Sequence, residues 1–77
     1  MEKIKAKIAE IEAFLEEKEI EYHYIDYDLK RGDNYEIQIV CDMVSNRILT
    51  LFEEKDIFPY VYPFAEIYII MIIPFTI

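Results

Sequence analysis

Asp28, Glu36 and Gln38 are the first residues in this chain whose types and order could do chemistry. An Asp ahead of a Glu-x-Lys can hold Mg²⁺ between its carboxylates while the lysine activates water or stabilises charge. Gln38 stands where that lysine should be, so a solvated strand face is the better reading. Asp26-Tyr27-Asp28 with Glu36 offers oxygen ligands for a weak Ca²⁺ or Mg²⁺ site, but surface carboxylates without an ion are commoner. His23 and Cys41 are the sole residues of their types. Both fall on the apolar alternation of their strands, where structural roles outweigh a nucleophilic dyad, which needs contact and a third, orienting group. Arg31-Gly32-Asp33 spells the adhesion tripeptide and equally makes a good turn. The chain has one glycine, no glycine-rich phosphate loop, no paired Cys/His motif and no serine triad. The expectation is a protein with no catalytic residue, no metal and no cofactor.

These residues must be positioned by a few short elements. Ile4, Ile8, Ile11 and Leu15 recur at helical spacing, with Phe14 and Met1 widening the stripe. Ala6, Ala9 and Ala13 lie on the far side, where alanine's helix propensity explains them. This helix is expected to end near Glu19, with Ile20 opposite the stripe. Tyr22 to Leu29 and Tyr35 to Asp42 alternate as strands do, joined by a loop Lys30-Arg31-Gly32 with Gly32 left-handed. That loop pairs Ile25 with Ile37, Tyr27 with Tyr35, and His23 with Ile39. Val44, Ile48, Leu51 and Phe52 fit a second helical stripe, which Asp42 could cap; a strand through Arg47 to Phe52 is the rival. Phe58 to Ile73 reads as a second hairpin turning at Pro63-Phe64-Ala65. Pro59 and Pro63 suit an edge strand. Ile67 to Ile73 reads as a strand buried on both sides, ended by Pro74, with Phe75-Thr76-Ile77 as a tail.

The segment 43–55 is decided as helix by an internal repeat. Leu15-Glu16-Glu17-Lys18-Glu19-Ile20 is answered by Phe52-Glu53-Glu54-Lys55-Asp56-Ile57. Tyr22-His23-Tyr24 recurs as Tyr60-Val61-Tyr62, and Glu36-Ile37-Gln38-Ile39-Val40 as Glu66-Ile67-Tyr68-Ile69-Ile70. The expected fold is α+β, a doubled α-β-β unit (α-β-β-α-β-β). Two helices lie on one face of a four-stranded antiparallel sheet, in one domain over 1–77 with pseudo-repeats 1–42 and 43–77.

Composition bounds the function. Sixteen acidic residues against 8 basic give a net charge of −8, which opposes direct nucleic-acid binding, where phosphates must be neutralised. The 55% hydrophobic content is high for 77 residues, so some apolar surface must face outward or into a partner. The glutamate-rich start is unlike a signal peptide. The uncharged run after Glu66 is 11 residues long, short of the ~20 that cross a membrane. A single cysteine fits a reducing compartment, and a cytoplasmic location is expected, that of the host if the gene is carried by a mobile element.

If odd-numbered strand residues meet the helices, the even-numbered ones form an outer face. Tyr22, Tyr24, Tyr60, Tyr62 and Tyr68 would stand there with Phe58, Ile70 and Ile72, beside Asp26, Asp28, Glu36 and Asp42. Tyrosine-rich patches mark partner sites, unless a loop or the tail folds back over them. The expected function is therefore protein binding to a basic surface, the carboxylates steering it. One concrete form is an inhibitor seated in the groove of a nucleic-acid-binding enzyme, mimicking phosphates. Mobile genetic elements encode short acidic proteins of this kind, anti-CRISPR inhibitors among them. The alternative is a homodimer that buries the tyrosine face and leaves the acidic helix face of Glu10, Glu12, Glu16 and Glu17 to work. A metal-dependent, nuclease-like enzyme using Asp28 and Glu36 comes third.

Overall fold

A computed structural model describes residues 2–77 of the chain; the place of Met1 in the helical stripe lies outside them. The elements run α1 (Glu2–Glu17), β1 (Tyr24–Arg31), β2 (Asn34–Cys41), α2 (Asn46–Glu53), β3 (Tyr60–Phe64) and β4 (Tyr68–Thr76). The four strands form one antiparallel sheet in the order β1-β2-β4-β3. The expected α-β-β-α-β-β architecture is therefore the observed one. Ile4, Ile11, Phe14 and Leu15 of α1 and Ile48 and Phe52 of α2 share one buried core with Ile37, Ile39, Cys41, Met71 and Ile73. Odd-numbered strand residues thus face the helices, as the alternation predicts.

The first part of the repeat is a helix ending made twice. At the end of α1 the Ile20 N–H donates to the Leu15 carbonyl at 2.8 Å and the Glu19 N–H to that of Glu16 at 3.1 Å. At the end of α2 the Ile57 N–H donates to Phe52 and the Asp56 N–H to Glu53, both at 2.9 Å. These are Schellman motifs, with Glu19 (φ 55°) and Asp56 (φ 58°) at the left-handed position. The residue after each, Ile20 and Ile57, is buried in the core. Ile20 therefore does not lie opposite the stripe: the reversal of the chain turns it inward. A left-handed residue with a Cβ costs about 1 kcal/mol that glycine avoids. Asp56→Gly is accordingly expected to raise stability by about that amount, read as a higher urea midpoint; an unchanged or lower midpoint would contradict it. Ser45, rather than Asp42, caps α2, its hydroxyl accepting from the Ile48 N–H at 3.3 Å.

The first hairpin differs from expectation in register. Gly32 (φ 58°) and Asp33 form a two-residue turn closed by Arg31 and Asn34, and the register shifts between Leu29 and Arg31. Ile25 consequently pairs with Ile39, Tyr27 with Ile37 and Leu29 with Tyr35. The error is two residues, an even number, so the side chains from Tyr24 to Leu29 keep their faces. Tyr27 and Tyr35 still meet diagonally, their rings 6.1 Å apart.

The second hairpin turns at Ala65-Glu66-Ile67, later than expected, with Pro63 and Phe64 inside β3. Glu66-Ile67 in the turn is thus no counterpart of Glu36-Ile37 in β2. Strand β3 is an edge, which suits Pro63 within it. Strand β4 does not stop at Pro74: it pairs with β2 through Thr76↔Asn34. Its pairing with β3 ends at Tyr60↔Ile72, so beyond Ile72 one flank of β4 is open and the missing N–H of Pro74 breaks no ladder there. Thr76 Oγ1 donates to Asn34 Oδ1 at 2.7 Å and the Ile77 N–H to the Asp33 carbonyl at 3.0 Å. Residues 75–77 therefore extend the sheet in its own plane, and Phe75 and Ile77 pack against the helix-side core. They do not fold over the outer face.

Candidate functional site

The outer face is built in cross-strand rows. Tyr24, Val40, Ile70 and Tyr62 align across all four strands, followed by Asp26, Gln38, Ile72 and Tyr60. Asp28, Glu36 and Pro74 continue the pattern toward the open flank. Val40 and Ile70, at the centre, are only 2% and 8% exposed, yet neither belongs to the helix-side core. Their neighbours Tyr24 and Tyr62 remain 48% and 50% exposed and Tyr60 58%, whereas Phe58, expected on this face, precedes β3 and lies beside Lys7, Ile57 and Phe75. A small apolar floor is thus ringed by aromatic side chains that no described residue covers. That arrangement is amphipathic, with ring area to bury and hydroxyls to hydrogen-bond.

Asp28 and Glu36 occupy one corner, with Asp26 in the next row. Lys30 lies 3.8 Å from Asp28 and 3.5 Å from Glu36, and Gln38 Nε2 donates to Asp28 at 2.7 Å. Asp26 accepts from the Tyr27 N–H at 2.8 Å. The carboxylates weighed as metal ligands are engaged by a lysine and an amide. Among the described residues no group of three or more His, Cys, Asp or Glu gathers around a common point. Asp28, Glu36 and Asp26 do lie together beside the aromatic rows, as their strand positions predict.

Two expected placements change at the start of β1. The alternation breaks at a bend before Tyr24, so Tyr22 turns to the helix side and packs on the core, while His23 is exposed. Burial, and then the charges of Glu12 and Glu16, push the Tyr22 hydroxyl above its ordinary pKa. Tyr22 is therefore not part of the outer face. His23 is not inward: its Nε2 lies 2.6 Å from Asp42 Oδ1, and its ring stands edge-on to Tyr68 at 4.8 Å. Sequence reasoning missed His23 and also Phe64, which pairs with Tyr68 in β3. Placing the turn at Pro63-Phe64-Ala65 removed Phe64 from the strand; its aromatic character within the Tyr-x-Tyr-x-Phe alternation was the available signal. A hollow of about 410 Å³ runs beside Tyr62, Tyr68 and Asp42.

Glu10, Glu12, Glu16 and Glu17 are exposed on α1, Glu10 lying 3.5 Å from Lys7. They face away from the sheet's outer side and form a separate acidic surface. Cys41 is buried, its thiol donating to the Ile69 carbonyl at 3.6 Å. Burial, and then the Asp42 charge, push that thiol above its ordinary pKa. The folded chain therefore keeps a proton that the unfolded chain releases, and stability falls as pH rises above about 8.5. The urea midpoint is expected to drop between neutral pH and pH ~10, with Cys41→Val showing a smaller drop; an equal drop in both would refute the assignment to Cys41.

Among the described residues no helix is long and apolar enough to cross a membrane. Comparison with known proteins finds no matching family model, no matching curated protein and no matching solved structure, so what this site does must be argued from its own residues.

Proposed function

We propose that this chain is a protein-binding module that docks the aromatic outer face of its sheet on a basic, partly apolar protein surface. The observation that carries the reading is the course of residues 74–77. They continue β4 instead of covering Tyr24, Tyr60 and Tyr62. A net charge of −8 selects against acidic partners and against a second copy, because like-charge surfaces repel on approach. Asp26, Asp28, Glu36 and Asp42 at the rim would speed encounter with a basic surface and set its orientation. A groove that ordinarily holds nucleic acid is the finest form of such a partner, since carboxylates can stand where phosphates do. The chain would then act as an inhibitor, of the sort mobile elements carry, and not as an enzyme.

The test compares three immobilised baits: the wild type, a Tyr60→Ala/Tyr62→Ala variant and a Glu12→Gln/Glu16→Gln variant. Basic proteins retained by the wild type should persist on the helix variant and vanish from the tyrosine variant. Retention of the same proteins by the tyrosine variant, with loss from the helix variant, would move the function to α1.

A further inference from the structure

Beside the outer face, the exit of α1, the start of β1, the end of β2 and the first turn of α2 enclose a cleft of about 590 Å³. Ile20, Tyr22, Met43 and Ile48 give it apolar walls, and Glu19, Glu21 and Asp42 bring three carboxylates to its lining. Arg47 is the one guanidinium there, and its Nη2 donates to the Lys18 carbonyl at 3.0 Å. That bond ties the charge to the end of α1, where it satisfies a carbonyl the helix leaves open. Met43, 67% exposed, gains most from being covered.

We infer that this cleft receives an arginine side chain of the partner. The inference rests on the proposed reading that the partner is basic. An arginine stem would cover Met43 and the Tyr22 ring, while its planar fork pairs with carboxylate oxygens in a way the point charge of lysine cannot. Asp42 is already held on one oxygen by His23 at 2.6 Å, so a partner guanidinium meets an oriented carboxylate. The same His23 ring touches Tyr68 at 4.8 Å, making the cleft continuous with the aromatic face. One basic segment could lie on the tyrosines and seat its arginine at the end of the sheet.

The experiment uses the isolated chain and needs no partner. ¹⁵N-labelled protein is titrated with N-acetyl-arginine amide and, separately, with N-acetyl-citrulline amide, its neutral isostere. Saturable shifts are expected at the amides of Glu21 to His23 and Met43 to Ile48, with the arginine derivative binding about two- to fivefold tighter than citrulline. Asp42→Asn should reduce that preference while leaving the rest of the spectrum in place. Equal response to both compounds, shifts centred on Glu10 to Glu17, or no shifts would each overturn the inference. Because the probe is a single amino acid, a negative result here leaves the tyrosine-face test standing, and a failed bait comparison leaves this one standing.

Discussion

Replacing Phe52 with alanine is expected to destabilise the chain by about 3–5 kcal/mol. Phe52 heads the fully buried side chains by size, at 0% exposure. Its ring lies 5.3 Å from that of Phe14, so truncation removes an aromatic contact between the two helices. Phe52 and Ile57 also share the buried core, at the two positions whose apolar contact commonly accompanies a Schellman ending. A domain of this length holds roughly 4–12 kcal/mol in total, so the variant should sit close to its unfolding transition at room temperature. Urea titration followed by circular dichroism measures the loss. Phe58→Ala, which truncates an exposed ring, should cost under about 0.5 kcal/mol. A Phe52→Ala cost near that of Phe58→Ala would contradict the core assignment.

The second large effect is on binding. Tyr62 flanks the buried Ile70 in a row that crosses the whole sheet, while half of its own surface stays open. Such a residue, an aromatic ring set against a buried apolar neighbour, is where interface energy concentrates: its truncation typically costs about 2 kcal/mol or more, roughly 30-fold in affinity. Tyr62→Ala is therefore expected to weaken the complex by at least about that factor. Tyr27→Ala should behave oppositely. Tyr27 packs against the helix-side core, so its loss should lower stability and leave affinity near that of the wild type. Affinities from titration calorimetry, beside urea midpoints for both variants, separate the cases. Equal loss of affinity in the two would remove the outer face from the interface.

Much of the architecture was legible because its signals are local and periodic. The spacing of Ile4, Ile11 and Leu15 marks α1 without help from the rest of the chain. For α2, eight residues long, the periodicity was too short to decide, and the Leu15–Ile20/Phe52–Ile57 repeat decided it. That repeat encodes a capping motif, made once at the end of each helix. The hairpin faces were right although the pairing was displaced, because a shift of two leaves parity intact. What depended on distant neighbours was not legible. Pro74 reads as a stop until β3 is seen to begin only at Tyr60, opposite Ile72, leaving that flank of β4 without a partner. The inward turn of Tyr22 and outward turn of His23 follow from the bend after the Schellman ending. The cleft beside them is assembled from four separate segments, and no stretch of sequence announces it.

The claim that the outer sheet face is open to a foreign partner is tested most directly by the molar mass of the purified chain. Light scattering during size exclusion, over a tenfold range of concentration, should return the 9.3 kDa monomer throughout. The like charges of two copies lead to that result. A stable mass of twice that value, collapsing to the monomer on Tyr60→Ala/Tyr62→Ala, would contradict the account. The tyrosine face would then belong to a second copy, and the acidic surface of α1 would be left to meet any other protein.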